Sequence, residues 1–171
     1  MFHPVTTEIK KMEQYANQFT DALIESNLQY IVIHPNNDLG STSILNSYSK
    51  LKSLENFKFF PSLRFEYFLV LLKNSQFIIG NSSAGIREAP YYGLPTVNIG
   101  TRQQNRSLNN NIINSSYEKS DILKSISIAK DSTFSKVDLF GTGNSNILFL
   151  ELLKNSTFWE IDKQKLFKDI I

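Results

Sequence analysis

The sequence predicts an α/β fold: a doubly wound, mostly parallel sheet with helices on both faces. Short runs of β-branched and aromatic residues alternate with helical segments of about ten residues. Small polar residues follow these runs, and no internal repeat or low-complexity linker interrupts the alternation. The 171 residues, of which 41% are apolar, suit a single domain with its own core.

The first predicted helix covers residues 8–26, where apolar side chains recur every three or four positions. Thr6 or Thr7 can cap this helix, and Glu8 lies in its first turn. The residues that follow alternate between predicted strands and predicted helices. The predicted segments are strand 30–34, helix 42–52, short strand 57–60, helix 65–74 and strand 76–80.

The second half of the chain continues the same alternation. A helix is predicted from Ser83 to Tyr92, beginning at small residues, and a strand at 96–100 follows the turn at 93–95. Further on, the pattern predicts a short strand at 111–114 and helices at 120–129, 144–154 and 158–170.

Composition excludes several functional classes. The formal charge of +2 leaves no large basic face for nucleic acid. There is no cysteine for a disulfide or thiolate site, and two histidines argue against a multi-histidine metal centre. No apolar stretch reaches the roughly 20 residues that span a bilayer, and the first residues lack a signal-peptide pattern. We therefore expect a cytoplasmic protein without metal or cofactor.

The predicted strands share one feature at their carboxyl ends, where ligands bind in parallel α/β sheets. Residues 3–8, 35–38, 80–85 and 100–103 each follow a strand, and all four segments are small and polar. The strand before residues 3–8 would have to begin upstream of Met1. These segments should converge on one rim of the sheet.

Residues 80–85, Gly-Asn-Ser-Ser-Ala-Gly, form the most informative of these segments. Glycines let the backbone approach a bound group, and Ser82 and Ser83 at a helix start offer hydroxyls and free N–H groups to an anion. The segment is neither a Walker A loop nor a GxGxxG fingerprint. Glu88, further along the helix, could accept hydrogen bonds from ribose hydroxyls. In the alternative interpretation, a serine only caps the helix, and Arg87 and Glu88 are solvated; the residues alone favour neither.

The other strand-end residues also have structural alternatives. A lone histidine such as His3 is more often structural than functional. Asn36 and Asp38 could simply form an Asx turn. Arg102 could bind phosphate or be exposed, and residues 141–144 are more typical of a plain turn.

Four segments taken together resemble a known family. They are HPVTTE at 3–8, HPNNDLGS at 34–41, IIGNSSAGIREAPYYGLPTVNIGTRQQNR at 78–106 and FGTGNS at 140–145. In this order they are similar to the carboxy-terminal half of the hydrolysing UDP-N-acetylglucosamine 2-epimerases of sialic-acid pathways. The non-hydrolysing enzymes typically carry His-Arg-Arg-Glu-Asn where this chain has His-Pro-Val-Thr-Thr, which favours the hydrolysing branch.

The resemblance implies a Rossmann-like domain of a two-domain glycosyltransferase-B architecture, with UDP held in the cleft. In this family the two serines hold the diphosphate, the glutamate the ribose hydroxyls, and a backbone segment meets the uracil. The histidine and the arginine lie near the phosphates and the reacting sugar. Carried over by position, the UDP-binding residues are His3, Asn36, Leu63, Ser82, Ser83, Glu88 and Arg102.

The resemblance also implies the reaction: UDP is eliminated to give 2-acetamidoglucal, and water then adds to give N-acetylmannosamine. His3 is the catalytic candidate here, while the main acid and base carboxylates belong to an amino-terminal domain. We expect a UDP-binding fragment, truncated at its amino-terminal edge and inactive alone. Its partners would be UDP-GlcNAc, the amino-terminal epimerase domain and further copies of itself, and the helix at 158–170 would cross to the other domain. Alternatives are a sugar-nucleotide transferase of the same architecture and a non-catalytic nucleotide-sugar-binding domain.

Overall fold

A computed structural model describes residues 1–107, 109–160, 162 and 164. The chain divides into two compact units, Met1–Val137 and a second that begins at Asp138. The first unit contains the strands, which are β1 (Tyr30–Ile33), β2 (Phe57–Phe60), β3 (Ile78–Gly80), β4 (Thr96–Ile99) and β5 (Ile112–Ser115). Its α-helices are α1 (Met12–Glu25), α2 (Ser41–Tyr48), α3 (Phe65–Lys73), α4 (Ala84–Arg87) and α5 (Lys119–Asp131).

The strands of the first unit form two parallel sheets. One has the order β1-β2, with Tyr30 opposite Phe57, and the other has the order β3-β4-β5, with Ile78 opposite Thr96. The β1–β2 and β3–β4 connections contain helices, whereas the described residues between β4 and β5, over 100–111, form a long loop. The predicted α/β class and parallel strands are confirmed, and the observed strands match the predicted segments to within two residues.

The main core lies against α1 and α5. The four-residue spacing of Ala16 and Thr20, with Phe19 and Leu23, turns one face of α1 inward, and each of these residues is buried. Phe2 stacks on Phe19 with 4.6 Å between ring centroids. Every residue of β4 is buried, which is typical of a central parallel strand covered on both faces.

The start of the first helix differs from the prediction. Residues Thr6–Lys11 form a 3₁₀ helix, and regular α-helix begins only at Met12. The N-cap is Val5, which offers no side-chain acceptor, so the predicted cap by Thr6 or Thr7 is wrong. Thr6 and Thr7 lie inside the 3₁₀ turn, one and two positions after the N-cap.

The helix predicted from Ser83 to Tyr92 is broken in two. The α4 helix ends at Arg87, and a 3₁₀ helix, Ala89–Tyr92, follows. Pro90 causes the break because it has no N–H to donate to the carbonyl four residues earlier. Gly93 then ends the 3₁₀ helix with a φ of +68°, a conformation that favours glycine.

The second unit contains α6 (Ser145–Lys154) and α7 (Ser156–Trp159). Asn155 caps α7, since its side-chain oxygen accepts from the Thr157 N–H at 3.0 Å. Most of the helix predicted at 158–170 lies outside the described residues. In the part of the chain that is described, no helix is long and apolar enough to cross a membrane.

Candidate functional site

The first residues of the chain are extended and pair with β3 in parallel orientation. The Met1 nitrogen donates to the Ile79 carbonyl at 3.0 Å, and the Asn81 N–H donates to the Met1 carbonyl at 3.1 Å. This pair of bonds places Met1 opposite Gly80 in a parallel ladder. A Cβ at Gly80 would lie 1.9 Å from the Met1 carbonyl oxygen, so only glycine allows this approach. The pairing carries His3 to the carboxyl end of the sheet, as the strand-end argument requires.

Asn81 connects the polar segments at this rim. Its side chain is fully buried, and it accepts from the His3 N–H at 2.6 Å while donating to the His3 carbonyl at 2.8 Å. Its backbone carbonyl accepts from Arg102 Nη1 and from Gln103 Nε2, each at 3.0 Å. One residue thus fixes the segments that follow three strands. Sequence reasoning placed Asn81 in the corner but did not identify its side chain as the group that holds His3.

The His3 ring meets the loop after β1. The backbone N–H of Asn36 donates to His3 Nδ1 at 3.2 Å, and the Asn36 side chain donates to Asp38. Burial, together with the positive charges of the chain amino terminus and Arg102, lowers the pKa of His3 to about 4. The ring is therefore neutral at pH 7. Because Nδ1 accepts a hydrogen bond, the ring proton is on Nε2, which leaves Nε2 as a donor.

Arg102 lies in a loop that Glu8 and Tyr117 hold in place. Glu8 accepts from the Thr101 hydroxyl at 2.6 Å and from the Tyr117 hydroxyl at 2.8 Å. The Tyr117 ring packs against Gly100. A Cβ atom at Gly100 would lie 2.0 Å from this ring. Burial, and then the neighbouring charge of Arg106, lowers the pKa of the Arg102 guanidinium. Its half-buried cation is fixed at the rim beside His3 and Asn81.

Ser82 and Ser83 form the corner between β3 and α4. The Ser82 hydroxyl accepts from the Ala84 N–H at 3.3 Å, a weak cap, and Ser83 makes no side-chain cap bond. Within the described residues, the backbone N–H groups of Ser82 and Ser83 have no protein acceptor. The capping interpretation therefore accounts for little of this corner, which keeps two amides and the Ser83 hydroxyl available. The α4 helix behind it has only four residues.

A pocket of 260 Å³ opens next to this corner. Glu88 lines this pocket, and its Oε2 atom is buried and, among the residues that the structure describes, has no hydrogen-bond partner. A buried carboxylate oxygen without a donor is costly, which makes Glu88 a candidate acceptor at this pocket. The pocket is lined by Met1, Ile33, Leu63, Phe65, Phe68, Ser83, Ala84 and Glu88.

Comparison with known proteins decides the family. The family model described as UDP-N-acetylglucosamine 2-epimerase matches residues 1–154. The chain belongs to this family. A UDP-N-acetylglucosamine 2-epimerase of Neisseria meningitidis is 48% identical over 177 residues, which cover 99% of this chain and 46% of the relative. A hydrolysing UDP-N,N'-diacetylbacillosamine 2-epimerase of Legionella pneumophila is 29% identical, over 90% of this chain and 41% of the relative. The chain therefore spans about half the length of these epimerase relatives.

Solved epimerase structures share the fold. The UDP-GlcNAc 2-epimerase of Methanocaldococcus jannaschii, in complex with UDP-GlcNAc and UDP, superposes with a TM-score of 0.73 at 18% identity. The match covers 90% of this chain and 44% of that chain. The UDP-GlcNAc 2-epimerase of Neisseria meningitidis bound to UDP-GlcNAc gives a TM-score of 0.56 at 17% identity, over 88% and 49% of the two chains. The comparison shows that this epimerase-family chain has the α/β fold of about one half of these glycosyltransferase-B-like structures.

The structure brings the seven predicted site residues into two neighbouring groups. His3, Asn36 and Arg102 meet at the polar rim, linked by Asn81 and by the Asn36–His3 hydrogen bond. Leu63, Ser83 and Glu88 line the pocket, and Ser82 joins the two groups through the backbone. Residues 141–144 belong to the second unit.

Proposed function

We propose that this epimerase-family domain binds UDP through the pocket and the adjoining polar rim. The observation that carries the proposal is the buried, unpartnered Glu88 oxygen beside Leu63 and Ser83. A ribose supplies two hydroxyl donors, which match an acceptor-only carboxylate. The half-buried apolar wall formed by Leu63 and Phe68 suits a uracil face.

The diphosphate belongs at the rim. The free amides of Ser82 and Ser83 and the Arg102 cation supply donors and positive charge to phosphate oxygens. The neutral His3 ring adds its Nε2 proton without a second full charge. Donors fixed before the ligand arrives stabilise negative charge as it develops, so this domain would favour the departure of UDP.

We further propose that the domain works in a hydrolysing UDP-GlcNAc 2-epimerase. The His-Pro-Val-Thr-Thr segment at 3–7 supports this branch, as does the hydrolysing relative from Legionella pneumophila. In the proposed reaction the C1–O bond to UDP breaks as a proton leaves C2, giving 2-acetamidoglucal and UDP. Water then adds to the glucal and gives N-acetylmannosamine. The carboxylates that move these protons would come from an amino-terminal epimerase domain.

Calorimetry with UDP tests the binding site on the 171-residue protein. We expect saturable binding, a loss of about tenfold in affinity for Glu88→Gln, and a comparable loss for Arg102→Ala. Matched controls are Glu118→Gln and Lys130→Ala, which remove exposed charges of the same signs outside the rim and the pocket and should bind like the parent. Absence of binding by folded protein at millimolar UDP would refute the proposed site.

Product analysis tests the reaction. With an amino-terminal epimerase half added, free N-acetylmannosamine and UDP should form from UDP-GlcNAc. Formation of UDP-N-acetylmannosamine instead would contradict the hydrolysing assignment, and an acceptor-dependent sugar product would indicate a transferase. Turnover by the 171 residues alone would refute the proposed need for the second domain.

A further inference from the structure

Glu8 joins two segments of the polar rim that are far apart in sequence. It ends the segment at 3–8 that begins with His3, and both of its carboxylate oxygens accept from residues outside its own helix. Oε1 accepts from the Thr101 hydroxyl at 2.6 Å, and Oε2 accepts from the Tyr117 hydroxyl at 2.8 Å. The carboxylate therefore connects the residues that follow β4 and β5 to the start of the first helix.

The backbone at Glu8 departs from helical geometry. Residues Thr6–Lys11 form a 3₁₀ helix of six residues, longer than the roughly three or four at which such runs usually stop. Within it, Glu8 has a φ of −116° and a ψ of 20°, which lie outside the helical range. The departure occurs at the residue that reaches across to Thr101 and Tyr117. This coincidence indicates that the long-range contact, rather than the dipole of its own helix, accounts for the placement of Glu8.

Tyr117 gives Glu8 a rigid anchor. Its ring stacks on Tyr15 of α1, with 3.7 Å between ring centroids and 5° between the ring planes. The same ring packs against Gly100. Its hydroxyl accepts from the Thr101 N–H at 3.4 Å while it donates to Glu8. Because the ring is buried and stacked, the hydroxyl stays in one place and fixes the carboxylate that it contacts.

Thr101 begins the turn that carries Arg102. The Gln104 N–H donates to the Thr101 carbonyl at 3.1 Å, which closes a β-turn with Arg102 at its second position. The Arg102 guanidinium donates to the Asn81 carbonyl at 3.0 Å. Arg102 is therefore fixed at both ends of its side chain: Asn81 holds the guanidinium, and Glu8 holds the turn from which the side chain extends.

We propose that Glu8 is a positioning residue for diphosphate binding, which acts through Thr101 and Tyr117 to keep the Arg102 guanidinium in place before the ligand arrives. The inference rests on the proposed function of this rim as a UDP site. Donors that are fixed in advance lose less conformational freedom on binding, so the gain appears as affinity for the phosphates.

The sign of the effect separates positioning from direct electrostatics. The Glu8 carboxylate is negative, and negative charge near a diphosphate repels it. If the charge of Glu8 acted directly on the ligand, its removal would tighten UDP binding. Because Glu8 acts through Arg102, its removal weakens UDP binding instead.

Calorimetry with UDP on the 171-residue protein tests the proposal. Glu8→Ala should lower UDP affinity about fivefold. Tyr117→Phe removes only the hydroxyl and keeps the stacked ring, so it should fold and lower UDP affinity about threefold. In an Arg102→Ala background, Glu8→Ala should cause no further loss, since the group that it positions is gone.

Two matched controls separate positioning from stability. Glu25→Ala removes a carboxylate of α1 that pairs with Lys119 instead of the rim. Tyr30→Phe removes a hydroxyl that is hydrogen-bonded to Ser26 at 2.7 Å, at the amino end of β1. Tyr30→Phe should lower the melting temperature about as much as Tyr117→Phe does, yet both controls should bind UDP like the parent.

The outcomes distinguish this proposal from the UDP site itself. If the parent binds UDP and Arg102→Ala weakens binding, but Glu8→Ala and Tyr117→Phe bind like the parent or more tightly, the positioning role is refuted and the UDP site stands. An equal loss on Glu8→Ala with and without Arg102 would also refute it, because Glu8 would then act independently of the guanidinium. Absence of UDP binding by the folded parent would refute the site and the positioning role together.

Discussion

The two sides of the polar rim are built differently. On the side of β3 and β4, Asn81 is fully buried and its hydrogen bonds fix His3, Arg102 and Gln103. On the side of β1, residues 36–39 are exposed, and the Asn36 N–H joins them to His3 through a hydrogen bond of 3.2 Å. The first side is preorganised, and the second is an ordinary surface loop.

This difference predicts which side of the rim should contribute more to the free energy of UDP binding. Groups held in place before a ligand arrives lose little conformational freedom on binding, whereas exposed side chains must be ordered at that moment. We therefore expect substitutions at the buried side to reduce both stability and UDP affinity. Substitutions in the exposed loop should alter affinity slightly and stability hardly at all.

The largest expected effect is that of Asn81→Ala. The change leaves the half-buried backbone N–H and carbonyl of His3 without their Asn81 partners, at a cost of about 2–4 kcal/mol in the free energy of unfolding. It also frees His3 from the rim, so UDP affinity should fall by more than tenfold. Urea unfolding and calorimetry measure the two effects.

Asn56→Ala is the matched control for Asn81→Ala. Asn56 donates to the Leu28 carbonyl at 2.8 Å, away from the rim, so its loss should lower stability without changing UDP affinity. If Asn81→Ala and Asn56→Ala reduced stability equally and left affinity intact, the two sides of the rim would not differ in the way proposed.

Much of the fold could be predicted because strand and helix periods are local properties of the sequence. The run at 57–60 is a strand with the predicted limits, and α3 differs from its prediction at one end by a single residue. The errors came from backbone chemistry that periodicity does not report. Pro90 breaks the helix after Arg87 although the apolar spacing continues, and Thr6 and Thr7 lie inside a 3₁₀ turn.

The site was harder to predict because it depends on long-range contacts. Strand-end reasoning brought His3 and Arg102 to one rim, but nothing local shows that a buried Asn81 links them. Glu8 is similar: it lies in the first turn, as predicted, and it also holds Thr101 and Tyr117, more than ninety residues away in sequence. The signal available for Asn81 was its position directly after the strand, before the two serines.

A pH dependence of intermediate size should come from His3. Its pKa is lowered from 6.5 to about 4 in the folded protein, so the unfolded chain binds more protons between these values. The contribution of His3 to the free energy of unfolding is fully present above pH 6.5 and is lost as the pH falls toward 4. For this partly exposed group the loss should be about 1–2 kcal/mol.

The comparison of the parent with His3→Gln isolates this contribution. Glutamine can still accept the Asn36 N–H but does not titrate, so the variant should lose less stability between pH 7 and pH 4.5. The Met1 ammonium also titrates, from 8.0 toward about 5, but it does so in both proteins and cancels. Parallel stability curves for the two proteins would show that His3 is not held neutral by the rim.

The smallest expected effect is that of Asn36→Ala in the exposed loop. The substitution keeps the backbone N–H that donates to His3 and removes only the side-chain bond to Asp38. Stability should change by less than about 0.5 kcal/mol, since the side chain is exposed. UDP affinity should fall about threefold if the amide contacts the ligand. Asn37→Ala, the exposed neighbour, should bind UDP like the parent; equal binding by both variants would leave Asn36 as an Asx-turn residue and confine the UDP contacts to the buried side of the rim.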